Sequence, residues 1–312
     1  MPKVSIVGAG LIGRAFAMVF ARAGWDAALF DPVAGVAEAA RAACHSGLVA
    51  LAEHGLCEDP AGAHARLTVA GTLAEALDGA EHVQESGPER PEVKRELFAE
   101  LDRLASRDAV LASSTSAIQC SLFTEALDGR HRCLVAHPVN PPHLVPVVEL
   151  SGAPWTDPAA LERARATFDA IGMAPVTVLK EIDGFILNRL QAALLSEAFR
   201  LVAEGYVSPQ DLDRTVADGL GLRWSFMGPF QTIELNAPGG APDYCTRYAP
   251  FFRRVAPELG GATAWTEETI AACLGAWGGP RSVEELEAKS RWRDDRLAAL
   301  AAHKSAQKTV QR

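Results

Sequence analysis

The stretch Val4-Ser5-Ile6-Val7-Gly8-Ala9-Gly10-Leu11-Ile12-Gly13 decides the fold of this 312-residue chain. An apolar, β-branched run leads into a G-x-G-x-x-G pattern, and residues at helical spacing follow it. In such a turn Gly8 permits the tight bend, Gly10 lets a pyrophosphate approach the backbone, and Gly13 lets helix and strand pack closely. The helix N-terminus adds N–H donors and a partial positive charge. The stretch therefore predicts a dinucleotide site.

An acidic residue stands where the ribose of such a cofactor would lie. Asp31 ends the second predicted strand, 18 residues after Gly13. There a carboxylate accepts hydrogen bonds from the adenosine ribose hydroxyls. The next three residues, Pro32, Val33 and Ala34, include no cation that could neutralise a 2′-phosphate. The pattern favours NAD over NADP, and the alternative is that Asp31 is only a turn residue before proline.

Short β-branched runs alternate with Ala- and Leu-rich segments through the first 180 residues. The predicted strands are Lys3–Gly8, Asp26–Asp31, Leu67–Ala70, His82–Glu85, Ala109–Ser113, Cys133–His137, Val145–Leu150 and Ala174–Leu179. The predicted helices between them span residues 11–23, 34–53, 72–78, 91–105 and 157–171. Strands separated by helices of this length imply right-handed crossovers and a mostly parallel sheet. The fold class is therefore α/β, with a doubly wound, Rossmann-type sheet.

The pattern changes near Asp183-Gly184. From there to about Glu204 the chain is predicted to form one long helix, with Phe185 among the residues at helical spacing. Further helices are predicted near 209–219, 266–276 and 282–302. We expect a nucleotide-binding domain at residues 1–183 and an all-helical substrate and dimerisation domain at 184–312, with the active site in the cleft between them.

Composition excludes several classes of function. The formal net charge is −9, so no broad basic surface is available for nucleic acid or anionic lipid. No stretch approaches 18 apolar residues, and the N-terminus lacks the apolar run of a signal peptide. The six cysteines are scattered without a Cys-x-x-Cys pair, which favours reduced thiols and a cytoplasmic location. No metal-ligand spacing is visible, and we expect no metal.

A histidine at the end of an apolar strand is the candidate catalytic base. His137 lies in Cys133–Pro142 (CLVAHPVNPP), and parallel sheets bind ligands beyond the carboxyl ends of their strands. Glu149 follows twelve residues later in a second apolar run, where a carboxylate is costly to bury unless it is paired. Adjacent strands would bring the two into contact as a general acid–base pair. The alternative is a hydrogen-bonded histidine and a glutamate at a sheet edge.

The other histidines give weaker signals. His143 could pair with His137 on a metal, but no third ligand has suitable spacing. The remaining histidines are predicted to be ordinary surface or loop residues: His45, His54, His64, His82, His131 and His303.

With these motifs the chain resembles the 3-hydroxyacyl-CoA dehydrogenase superfamily, and within it the lambda-crystallin/L-gulonate 3-dehydrogenase branch. The most specific stretches are Ala136–Pro142 (AHPVNPP), Leu179–Gln191 (LKEIDGFILNRLQ), Val207–Asp213 (VSPQDLD), Asp218–Arg223 (DGLGLR) and Trp292–Asp295 (WRDD). The resemblance covers nearly the whole chain. It implies the fold above, NAD as cofactor and a homodimer formed through the helical domain.

The resemblance also implies roles for individual residues. His137 and Glu149 match the catalytic dyad, and Ser116 and Asn188 match polar residues that hold the reacting hydroxyl and the nicotinamide. The positions that match the NAD site are Gly8, Gly10, Leu11, Ile12, Gly13, Asp31, Glu89 and Lys94. Taken alone, Ser116 would be a turn residue and Asn188 a core hydrogen-bonding amide. Taken alone, Glu89 and Lys94 would be a first-turn acid and a solvated base of one helix.

The substrate is expected to be small. The chain has no lysine between Lys3 and Lys94, and residues 45–60 carry acids but no arginine, so the phosphates of CoA would be poorly received. Arg223 is expected to clamp a carboxylate, the alternative being a surface arginine beside Trp224. The expected reaction is oxidation of the 3-hydroxyl of L-gulonate. The alternatives are another 3-hydroxy acid (3-hydroxybutyrate-like or carnitine-like), an L-3-hydroxyacyl-CoA, or a non-enzymatic, crystallin-like NAD-binding protein.

Overall fold

The computed structural model describes residues 1–225, 228–234, 236–238, 240–255 and 283–308. Contacts between Cα atoms divide the chain into two units, Met1–Leu187 with Arg291–Arg312, and Asn188–Ser290. The first unit ends at Leu187 rather than at the expected residue 183. It also includes the C-terminal segment from Arg291, which differs from the expected second domain of residues 184–312.

Eight strands form one sheet in the first unit. They are β1 (Lys3–Val7), β2 (Asp26–Phe30), β3 (Leu67–Val69), β4 (His82–Glu85), β5 (Val110–Ser113), β6 (Cys133–Pro138), β7 (Val147–Gly152) and β8 (Ala174–Val178). Their order is β3-β2-β1-β4-β5-β6-β7-β8. Neighbouring strands are parallel except β6 and β7, which are antiparallel. The mostly parallel sheet is confirmed, and each predicted strand is present with its ends shifted by no more than a few residues.

Helices cover both faces of this sheet. They are α1 (Leu11–Arg22), α2 (Val36–Glu53), α3 (Pro60–Ala65), α4 (Leu73–Leu77), α5 (Pro91–Leu104), α6 (Ser121–Thr124), a 3₁₀ turn (Arg130–Arg132) and α7 (Pro158–Ala170). Successive side chains of β6 enter opposite apolar clusters: Leu134 and Ala136 pack with α1, α2 and α7, while Cys133 and Val135 pack with α4 and α5. Side chains of a strand alternate between the two faces, so a doubly wound sheet must bury both.

The described part of the second unit is helical. It contains α8 (Leu187–Ala203), α9 (Pro209–Arg214), a π-helix (Thr215–Gly221), α10 (Pro229–Glu234) and α11 (Gly240–Val255). The predicted helix at 266–276 lies outside the described residues. The predicted long helix starts only at Leu187, because Phe185 has a left-handed backbone with φ of +49° and cannot belong to it.

The last helix, α12 (Val283–Lys308), explains why the C-terminal segment belongs with the first unit. Ala298 is buried in the core cluster that contains α1 and α2, and Leu297 packs against it. Nε2 of His54 lies 3.0 Å from Oδ1 of Asp295. Among the described residues, no helix is both long and apolar enough to cross a membrane.

Candidate active site

The glycine loop between β1 and α1 has the shape that a bound pyrophosphate needs. A Cβ on Gly8 would lie 2.8 Å from the carbonyl carbon of Ser86, and one on Gly13 would lie 1.9 Å from the carbonyl oxygen of Gly8. A Cβ on Gly10 would meet nothing within 4 Å. Gly8 and Gly13 are thus required by packing, whereas Gly10 keeps an open approach to the loop. The N–H groups of Leu11 and Ile12 begin α1 beside it, where anions are stabilised.

Asp31 links this loop to the turn after β2. Its Oδ2 accepts a hydrogen bond of 2.9 Å from the backbone N–H of Ala9, and its Oδ1 accepts one of 3.0 Å from the N–H of Val33. Asp31 therefore does act as a turn residue. A carboxylate has about four acceptor sites, so it can still receive ribose hydroxyls. Together with the glycine loop, this donor and acceptor set fits NAD.

The antiparallel pairing of β6 and β7 places His137 directly opposite Glu149. Nδ1 of His137 lies 2.8 Å from Oε2 of Glu149, and the two residues are 4% and 2% exposed. The other carboxylate oxygen, Oε1, accepts hydrogen bonds from the backbone N–H groups of Ile186 (2.8 Å) and Leu187 (3.0 Å). The predicted contact between the two side chains is present.

The environment of Glu149 keeps its carboxyl ionised. Burial by itself raises the pKa of Glu149, but the hydrogen bonds from His137, Leu187 and Ile186 outweigh burial and hold the pKa below its ordinary value. An ionised carboxylate only accepts, so Nδ1 of His137 must carry the proton of that hydrogen bond. In the neutral ring Nε2 then has a free lone pair, and it can take a proton from a substrate hydroxyl.

The loop after β5, which carries Ser116, is held by Glu89. The Glu89 carboxylate accepts hydrogen bonds from the hydroxyl of Thr115 and from the backbone N–H groups of Ser116 (3.0 Å) and Ala117 (3.1 Å). Ser116 itself is exposed. The structure therefore joins Glu89, which is predicted to contact the cofactor, to the backbone of Ser116, which is predicted to hold the reacting hydroxyl.

Comparison with known proteins places this geometry in a family. The profile of the 3-hydroxyacyl-CoA dehydrogenase NAD-binding domain matches residues 3–182, and that of the C-terminal domain matches residues 184–257. The chain belongs to the 3-hydroxyacyl-CoA dehydrogenase family. Membership establishes NAD as its cofactor and assigns it to a family of NAD-dependent 3-hydroxy acid dehydrogenases.

Individual relatives cover most of the chain. A lambda-crystallin homolog of Bos taurus is 44% identical over 307 residues, which are 96% of this chain and 94% of that protein. An L-carnitine dehydrogenase of Pseudomonas putida is 36% identical over 301 residues, 95% of this chain and 90% of that protein. The solved structure of 5-formyl-3-hydroxy-2-methylpyridine 4-carboxylic acid 5-dehydrogenase, an NAD⁺-dependent dismutase, has a TM-score of 0.83 at 26% identity and covers 96% and 97% of the two chains.

In this family member Lys94 is not the solvated base that its sequence context indicates. Lys94 is 1% exposed, and its ammonium lies 3.0 and 2.9 Å from the two carboxylate oxygens of Glu85. The Glu85 carboxylate also accepts hydrogen bonds from the Ser113 hydroxyl (2.5 Å) and the Gly87 N–H (2.6 Å). No sequence pattern identifies Glu85, whose only signal is its place at the end of the short predicted strand His82–Glu85. A contact between Lys94 and NAD stays a prediction.

His82 was wrongly expected at the surface. It lies on the central strand β4, is 1% exposed, and its ring centroid is 5.7 Å from that of Phe20 and 5.4 Å from that of Phe168. Its Nε2 lies 3.0 Å from Oε1 of Gln84. Burial lowers the pKa of His82 to about 4. Among the described residues, no cluster of three histidine, cysteine or acidic side chains could hold a metal ion.

Two predicted site residues belong to the second unit. Asn188 is half-buried in the first turn of α8, and Arg223 is exposed just after the π-helix. Short π-helical segments occur frequently at functional sites. The approach of these two side chains to His137 stays a prediction.

Proposed function

We propose that this chain oxidises the 3-hydroxyl of a small hydroxy acid, converting L-gulonate to 3-dehydro-L-gulonate. The observation that carries the proposal is the hydrogen bond between His137 and Glu149, buried at the end of β6. A neutral imidazole with an ionised carboxylate behind it is a general base for a hydroxyl proton. Oxidation of an alcohol needs this base and a hydride acceptor on the other side of the reacting carbon.

The residues divide the work as follows. Nε2 of His137 accepts the proton of the 3-hydroxyl, and Glu149 stabilises the imidazolium that forms. NAD, when bound, accepts the hydride from the carbon that carries this hydroxyl. Gly8, Gly10 and Asp31 would hold the dinucleotide, and Ser116 and Asn188 would hold the hydroxyl in line with the base.

A compact substrate is supported by the charges around the nucleotide domain. Residues 45–60, which span the end of α2 and the turn before α3, contain Glu53, Glu58 and Asp59 but no lysine or arginine. The several phosphate charges of CoA would meet acids rather than cations there. This charge distribution disfavours an acyl-CoA and favours a free hydroxy acid.

A carboxylate on the substrate is supported by the relatives and by Arg223. L-carnitine and the pyridine carboxylic acid, named for two similar proteins, both carry a carboxylate. A guanidinium binds such a group through two parallel hydrogen bonds. Arg223 is the last residue of the motif Asp218–Arg223 and lies just after the π-helix. We assign it the role of binding the substrate carboxylate.

L-carnitine is the second candidate substrate. The L-carnitine dehydrogenases are 36–38% identical to this chain. In α11 the ring of Tyr244 lies 4.6 Å from that of Tyr248 and 6.4 Å from that of Phe252, centroid to centroid. Aromatic faces of this kind attract a quaternary ammonium group.

The experiment is NADH formation from L-gulonate, L-carnitine, L-3-hydroxybutyrate and 3-hydroxybutyryl-CoA. We expect the highest kcat/KM with L-gulonate. This activity should be lost in His137→Gln and retained in the matched control His131→Gln, which changes an exposed histidine. Arg223→Lys should raise KM for the acid and leave NAD affinity unchanged. Turnover of the thioester alone would overturn the substrate class, and activity in His137→Gln would overturn the base.

Two further outcomes separate the remaining alternatives. Preference for L-carnitine would identify the second candidate. Protection against heat by NAD without NADH formation from any acid would indicate a crystallin-like binding protein.

We also propose that the chain forms a homodimer through its helical unit. Leu190, Leu194 and Leu195 of α8 are exposed, and apolar side chains grouped on one helix are commonly covered by a partner. Light scattering coupled to gel filtration should give twice the chain mass of 33.1 kDa, and a monomeric mass at working concentrations would refute the dimer.

A further inference from the structure

Phe185 has a backbone conformation that needs an explanation. It is fully buried, and with φ of +49° it is the one non-glycine residue of the described chain in the left-handed region. Bulky L residues avoid this region because Cβ approaches the backbone carbonyl oxygen. Such residues persist where the surrounding structure fixes them, and they cluster at functional sites.

The segment before Phe185 is fixed by several contacts. The Gln119 side-chain amide donates to Oδ1 of Asp183 at 2.7 Å, and the backbone N–H of Ser121 donates to Oε1 of Glu181 at 2.9 Å. The N–H of Phe185 donates to the carbonyl oxygen of Ile182 at 3.2 Å. The turn is therefore tied to the segment that follows Ser116, and it holds Phe185 against the sheet.

Phe185 contacts His137 through its ring and directly precedes the residues that donate hydrogen bonds to Glu149. Its ring centroid lies 5.3 Å from that of His137, and the two ring planes are tilted by 36°. The two residues that follow it, Ile186 and Leu187, are the ones whose N–H groups donate to Glu149. A helical φ at Phe185 would point these N–H groups elsewhere, since the direction of the chain after a residue depends on its own dihedral angles.

We propose that Phe185 is the positioning residue of the dyad. Its ring restricts rotation of the His137 imidazole, and its left-handed backbone aims two N–H donors at Glu149. The proposal rests on the proposed function in one respect, that His137 is the base of the reaction. A base must hold its lone pair on the substrate proton, and small misalignments reduce the rate strongly.

The test compares Phe185→Leu with the matched control Phe98→Leu. Phe98 is also fully buried and lies in the same apolar cluster as Phe185. Both variants should lower Tm to a similar extent, because each removes an aromatic ring from that cluster. Only Phe185→Leu should lower kcat, by about 10- to 100-fold, with KM and NAD affinity little changed.

A second readout does not depend on turnover. The Nδ1 proton of His137, hydrogen-bonded to a carboxylate, should give a downfield proton NMR signal that is absent from His137→Gln. We expect it to be sharp in the wild type and in Phe98→Leu, and broadened by exchange with water in Phe185→Leu. Phe185→Met serves in the same way if the leucine variant does not fold.

The outcomes distinguish the two proposals. If the wild type oxidises no hydroxy acid, the proposed function fails, and the NMR signal alone decides the role of Phe185. If Phe185→Leu and Phe98→Leu show the same kcat and the same signal, Phe185 is only a core residue and the inference is overturned.

Discussion

His82 makes the stability of the first unit depend on pH between about 4 and 6.5. The ring lies on β4 between Phe20 and Phe168, and its pKa falls from 6.5 to about 4 because burial disfavours the charged form. Between these two pH values His82 is mostly protonated in the unfolded chain and mostly neutral in the folded chain. The free energy of unfolding therefore decreases as the pH falls from about 6.5 to about 4.

The size of the effect follows from the two pKa values. A tenfold change in proton affinity corresponds to about 1.4 kcal/mol, so the full loss is about 3 kcal/mol. About 2 kcal/mol of it falls between pH 7 and pH 5. In His82→Phe this part of the pH dependence should be absent, because phenylalanine keeps an aromatic ring beside Phe20 and Phe168 and has no proton to bind.

The assay is urea unfolding followed by circular dichroism at pH 5, 6 and 7. His131→Phe is the matched control, since it removes an exposed imidazole. The wild type and the control should lose about 2 kcal/mol more than His82→Phe between pH 7 and pH 5. Equal losses in all three proteins would show that His82 is protonated in the folded state, and the reasoning from burial would be refuted.

Three further predictions concern the site. Glu149→Gln should lower kcat, measured as steady-state NADH formation, by about 10²- to 10⁴-fold. NAD affinity, measured by calorimetry, should be unchanged. An undiminished kcat would exclude the dyad. Lys94→Met should lower the free energy of unfolding in urea by about 3–5 kcal/mol, because it leaves Glu85 charged and buried without a partner. Adding Glu85→Gln should recover part of this loss. Unchanged stability of Lys94→Met would contradict the role of the ion pair. Gly10→Ala should keep the Tm of the wild type, since its Cβ meets nothing within 4 Å, but should weaken NAD binding measured by fluorescence titration. Unchanged NAD affinity would place the pyrophosphate elsewhere.

The sheet could be predicted from the sequence because its strands are short apolar runs between helical segments. Cys133–Pro138 and Val147–Gly152 are examples, and both are buried over most of their length. The contact between His137 and Glu149 could also be predicted, since a charged side chain in an apolar strand needs a partner. The antiparallel direction of β7 could not, because it depends on the path of residues 139–146 rather than on strand composition.

Other features depend on tertiary contacts that no local pattern records. Glu85 and Lys94 are nine residues apart and have the composition of a surface pair, yet the fold buries both. His82 belongs to a polar strand, His82–Glu85, that is buried only because β1 and β5 flank it and helices cover both faces. Phe185 fits helical spacing, but its left-handed backbone, with φ of +49°, keeps it out of the helix that begins at Leu187.

Three carboxylates organise the carboxyl end of the sheet in the same way. Glu85 accepts the N–H of Gly87, Glu89 accepts those of Ser116 and Ala117, and Glu149 accepts those at the start of α8. Each carboxylate fixes the backbone next to a predicted cofactor-binding or catalytic residue, so this edge of the sheet is preorganised for ligand binding. Both oxygens of Glu85 and both oxygens of Glu149 accept hydrogen bonds from the protein itself, so we assign these two carboxylates a positioning role. We expect substitutions in the motif Asp218–Arg223 of the second unit to change the preference between L-gulonate and L-carnitine.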